Sequence, residues 1–164
     1  MKLTELFLEE LEQEAAATRR VLEQTPDGNY DWKPHEKSMK LGYLAQLVAE
    51  LPSWSVFIIK QDDFELTSHK QVPVDTSQEL IKVLDDGVAK AREALTNTTD
   101  EHLMKNWRML VGGKVVSDQP RYQALRYAVF NHWAHHRGQL TVYLRLKDAK
   151  VPSIYGPSAD EPNF

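Results

Sequence analysis

The sequence predicts an all-α protein, a four-helix bundle with a long crossover and a small β-hairpin before the last helix. Long stretches repeat apolar residues at intervals of three and four, the signature of helices with one buried face. The segments between them are rich in Pro, Gly and helix-capping residues. Strand character gathers in one short stretch around Gly112-Gly113. A chain of 164 residues suits one domain, 1–164, with a real core.

The first helix runs from Leu3 to about Gln24, with Phe7, Leu11, Ala15, Thr18 and Leu22 on its buried stripe. "TPDGNYDWKP" then breaks it with Pro26, Gly28 and Pro34. A second helix starts near Ser38 or Met39 and buries Leu44, Leu47, Val48, Leu51, Ile58 and Ile59. Pro52 falls inside it and bends it, because proline has no N–H to give and its ring clashes with the preceding turn. Residues 60–76 form the crossover. "TSQE", Thr76 to Glu79, reads as a capping box opening a third helix with Leu80, Val83, Leu84, Val88, Ala91 and Leu95 inward. "WRMLVGGKVVS" places two glycines between β-capable runs, hence a hairpin that must lie against the helices. Pro120 suits the first turn of a last helix reaching about Lys147. The tail "VPSIYGPSADEPNF" is extended or looped.

Composition narrows the function classes. A formal charge of −4 offers no polycation for a nucleic-acid backbone, so no nucleic-acid partner is expected. With no cysteine there is no disulfide, thiolate metal ligand or cysteine nucleophile. No apolar run reads as a bilayer span, so no membrane is expected. The N-terminus turns acidic at once and is no signal peptide, which makes cytoplasmic the default location.

The chemistry gathers in "NHWAHHRGQL", residues 131–140. His132 and His136 stand one helical turn apart on one side, on a stripe with Leu125, Val129 and Leu140 that faces the interior. Such a pair presents two imidazoles to one ion, or else hydrogen-bonds at a helix edge. His135 is rotated by about 100° from His136 and faces elsewhere. A catalytic zinc takes three protein ligands, so another element must contribute. Serine-type catalysis has no G-x-S-x-G to rest on.

Three stretches, "DWKPHEKSMKLGYLAQLVAELPSW", "HWAHHRGQLTVYLR" and "VPSIYGPSADE", make the chain resemble the DinB/YfiT-like superfamily of four-helix bundles. The resemblance implies a homodimer and a divalent metal, nickel or zinc, held by three histidines. Two of these belong to an H-x-x-x-H on the last helix, matched here by His132 and His136. It also implies a reaction of the low-molecular-weight thiol transferase or isomerase type, or a hydrolase. The third histidine belongs to a second-helix segment that here reads "LAQLVAELP", with Leu47 in its place. Leucine cannot ligate. Glu50, one turn on, is the carboxylate that can complete a His₂Glu set; otherwise it joins a polar network around the pair. Arg137 is a candidate to bind an anionic thiol or to form a salt bridge. Tyr143 is a candidate to cap the pocket or to pack in the core. Trp32 and Trp54 fit either a pocket mouth or the core, and His35 a solvent-exposed or helix-start position. With Leu47 present, a metal site is partial, degenerate or lost. The competing reading is a non-catalytic bundle that binds a small molecule or a partner.

Overall fold

Helix α1, Leu3–Leu22, buries Phe7, Leu11, Thr18, Val21 and Leu22 along one stripe. Its N-terminus is closed from a distance: the Asp100 carboxylate accepts hydrogen bonds from the Leu3 and Thr4 amides at 2.9 and 3.1 Å, satisfying two otherwise orphaned donors. The computed structural model describes residues 2–71 and 73–162. Met1, Val72, Asn163 and Phe164 fall outside these, so the end of the tail and one residue of the crossover are not described.

Helix α2, Leu41–Glu50, is apolar on nearly every side, as befits an element surrounded by others. Pro52 ends it in a 3-10 turn, Leu51–Ser53, from which α3, Trp54–Lys60, continues. By length and mean hydropathy the stretch Leu41–Lys60 is apolar enough to cross a membrane, contrary to the sequence expectation, but 72% of its most apolar 18-residue window is buried inside the protein, as in a core helix. Gly42 is required by close approach: a Cβ there would lie 2.7 Å from the Tyr30 Cβ. Helix α4, Ser77–Thr96, opens on a capping box in which the Thr76 hydroxyl accepts from the Glu79 amide. Helix α1 packs along α4, and α2 lies between α4 and the last helical rod.

That rod is continuous but not uniform. Helix α6, Arg121–Ala124, follows the short α5, Asp100–Leu103, and two strands. It passes into a π-helical segment, Leu125–Asn131, which gives way to α7, His132–Leu146.

The expected all-α bundle needs correction. A three-stranded mixed sheet stands beside the helices, in the order β1, β2, β3. The hairpin joins β2, Asn106–Val111, to β3, Lys114–Pro120, across Gly112 and Gly113 at φ of 58° and 76°, a left-handed turn that glycine adopts at no steric cost. Strand β1, Asp63–Glu65, pairs in parallel with β2, matching Phe64 to Met109, inside the segment read as crossover loop. Three residues with one buried side chain, Phe64, hold too little periodicity to show in sequence; the strand exists because β2 offers it an edge. Phe64 and Trp107 carry the sheet into the main core. Arg121, nearly fully buried, ties sheet to bundle: its guanidinium donates to the carbonyls of Asn106 and Gln61 and to the Asp62 carboxylate at 2.6, 3.0 and 2.7 Å.

Candidate functional site

Where α2, α3 and α7 meet the crossover, they enclose a cavity of about 450 Å³. Met39, Leu47, Trp54 and Leu66 form apolar walls, and Tyr43 stands half-exposed at the mouth. His132 and His136 supply polar atoms from α7, and His69 and Gln71 from the crossover.

The Nε2 atoms of His132 and His136 face each other at 2.8 Å. Their outer nitrogens are engaged: His136 Nδ1 lies 2.7 Å from Gln139 Oε1, and His132 Nδ1 a longer 3.4 Å from the Ala128 carbonyl. With each Nδ1 donating outward, both inner nitrogens are lone-pair acceptors. Two acceptors at that distance need a cation between them, or one ring must take the other tautomer; His132, with the weaker outer bond, is the ring that yields. Burial is the main cause lowering both pKa values below the usual histidine range. The charge of His136 adds to the effect at His132, and the Gln139 hydrogen bond opposes it at His136. Both rings are therefore neutral near pH 7, the form that ligates metals.

Two nitrogens thus fit a divalent cation. Zinc with Zn–N bonds of about 2.0–2.1 Å holds tetrahedral nitrogens about 3.3 Å apart, so the pair needs to open by only about 0.5 Å. No group of three or more His, Asp or Glu among the described residues is placed to hold a metal ion. Leu47, at the place of the histidine the resemblance implies, lines the same cavity as the pair.

Glu50 turns toward the crossover. Its carboxylate accepts from Gln46 Nε2 at 2.7 Å and lies 3.4 Å from His69 Nε2, so it stands behind His69 rather than in the cavity lining. Sequence reasoning missed His69. Its only signal was an isolated histidine in the crossover, and nothing in its spacing links it to residue 132. The Trp54 ring connects them in space, edge-on to His69 at 5.7 Å and to His132 at 6.0 Å.

The other candidates lie elsewhere. Arg137 is buried against α1, in an ion pair with Glu14 at 2.5 Å and hydrogen bonds to Thr18 and Tyr155. The Tyr143 hydroxyl donates to the Met39 carbonyl at 3.1 Å and its ring meets Trp32 edge-on. Neither lines the cavity, whereas Trp54 does. His135 is exposed, its ring 4.9 Å from that of His136. His35 Nδ1 accepts the Lys37 amide at 3.1 Å.

Fold and site together define a mainly helical protein with a small mixed sheet and a histidine pair set in an apolar cavity. The DinB family profile matches residues 1–163, and the chain belongs to that family. It is 27% identical over 157 residues to the uncharacterized protein YrdA of Bacillus subtilis, covering 94% of this chain and 89% of that one. Among the solved structures that share the fold are two DinB-like proteins. A DinB-like protein, YjoA, from Bacillus subtilis is 20% identical with a TM-score of 0.69, covering 95% of this chain and 98% of its own. A DinB-like protein from Bacillus cereus is 21% identical with a TM-score of 0.71, covering 91% and 95%.

Proposed function

We propose that the chain binds a divalent metal, zinc or nickel, through the Nε2 atoms of His132 and His136, and acts on a small molecule of the low-molecular-weight thiol class by transfer or hydrolysis. The observation that supports this is the convergence of two neutral imidazole nitrogens whose outer faces are held by Gln139 and the Ala128 carbonyl. Outer partners of that kind fix ring orientation at metal sites. When bound, the metal supplies Lewis-acid chemistry that lowers the pKa of a coordinated water or thiol. On this reading His69, which lines the cavity with Glu50 behind it, is the protein group that would have to move in to supply a further donor, since no third one is in place among the described residues, and the remaining positions belong to the ligand. The apolar walls exclude water from the bound molecule.

Leu47 favours a second reading, in which the cavity binds its small molecule without a metal. Competitive zinc titration at fixed pH separates the two. We expect His132→Ala and His136→Ala each to weaken zinc binding at least about tenfold, roughly 1.4 kcal/mol. Equal affinity in the native chain and both variants would remove the metal and leave the second reading.

A further inference from the structure

We propose that the cavity selects an uncharged, largely apolar molecule that presents a single thiol or similar donor atom to His132 and His136, and rejects thiols that carry carboxylates. The inference rests on the cavity being the ligand site, and it does not require the metal.

The walls set the first condition. Leu47 and Trp54 are almost fully buried and, with Met39 and Leu66, give a ligand apolar surface on several sides. Apolar contact rewards an aliphatic or aromatic body, whereas a carboxylate brought there gives up its hydration for nothing. The volume suits one small ligand.

Charge sets the second condition. No Lys or Arg lies among the described residues lining the cavity. The rod that carries the histidine pair has arginines at 121, 126, 137 and 145, and each is committed elsewhere. Arg121 holds Asp62, Arg126 holds Glu10, Arg137 holds Glu14 and Arg145 holds Asp160. The Glu50 carboxylate is mostly buried and lies 3.4 Å from His69 Nε2 on the cavity wall. A ligand carboxylate entering past His69 would meet that like charge, with no Lys or Arg among the described lining residues to offset it. The polar groups that remain, the histidine pair with His69 and Gln71, suit one donor atom and a few neutral hydrogen bonds.

The test is calorimetric titration of two thiols, near neutral pH, into the native chain with and without bound zinc. The uncharged probe is 2-phenylethanethiol and the anionic probe is mercaptosuccinate. We expect 2-phenylethanethiol to bind at least about tenfold more tightly than mercaptosuccinate. Tyr43→Lys, at the exposed mouth, and Leu47→Arg, in the wall, should each narrow that gap by supplying a cation. Equal or tighter binding of mercaptosuccinate to the native chain overturns the inference, and so does binding of neither thiol. The two readings fail separately. A chain that holds zinc through the pair but prefers mercaptosuccinate keeps the metal and loses the selectivity. A chain that binds 2-phenylethanethiol selectively but holds zinc no more tightly than the His132→Ala and His136→Ala variants keeps the selectivity and loses the metal.

Discussion

Leu47 governs how complete the site is. Its side chain lines the cavity that also takes in His132 and His136, so a donor placed there reaches the same space. Leu47→His should tighten zinc binding at least about tenfold over the native chain, roughly 1.4 kcal/mol, read by competitive titration at fixed pH. No change in affinity would mean that position 47 is out of ligating reach. At this scale the sequence spoke where a contact lies within one helix. The i, i+4 pairing of His132 and His136 and the inward face of Leu47 both follow from helical periodicity. It was silent where partners meet across elements. Glu50 lies 19 residues from His69, and the two meet only because the crossover folds back. Arg137 finds Glu14 on α1, across 123 residues, and no local pattern announces that pair.

At the scale of elements, Glu65 joins the crossover to the hairpin. Its carboxylate accepts from the Thr67 hydroxyl and amide and from the amides of Gly112 and Gly113, at distances between 2.5 and 3.1 Å. The Thr67 hydroxyl, then the Gly113 amide, lower its pKa from 4.5 to about 2. Because the folded-state value is the lower one, the carboxylate stabilises the native state above pH 4.5, and that contribution is lost as pH falls toward about 2. Glu65→Gln should flatten the acid limb of the stability curve in that window and leave the curve near neutral pH the same shape, as followed by denaturant unfolding at stepped pH. An unchanged acid limb would show that the anchor carries no pH-dependent stability. Elements with strong local signals were legible: the capping box at Thr76, the Gly-Gly turn and the interruption at Pro52, expected as a bend and found as a 3-10 turn. The π-helical segment Leu125–Asn131 was not. Its residues are ordinary helix formers, and nothing in their spacing marks the wider turn that leads into His132.

At the scale of the whole molecule, the outer face of α7 remains open. Gly138, Val142 and Leu146 stand four residues apart on it, Val142 and Leu146 exposed, and a Cβ on Gly138 would meet nothing within 4 Å. A homodimer across this face is our expectation. Sedimentation at micromolar concentration should give twice the 18.9 kDa of one chain, and Val142→Lys should return it to one. A native chain that sediments as a monomer would reject the expectation. The long helices were readable because they are periodic, but their partnership with a sheet was not, since β1 acquires its identity from β2.

That late identity orders events in time. Asp63 and Arg108 are 45 residues apart along the chain, with α4 and α5 between them, whereas the two arms of the hairpin are joined by a two-residue turn. Loop closure on that span is entropically costly until the intervening helices are in place. The hairpin should thus form before β1 joins it, and β1 should dock only after α4 has packed. The Arg108 amide, which donates to the Asp62 carbonyl, reports that docking directly. In pulse-labelled hydrogen exchange during refolding it should gain protection together with the α4 amides and after those of the hairpin, so the wall of the cavity built from the crossover is the last part of the protein to arrive.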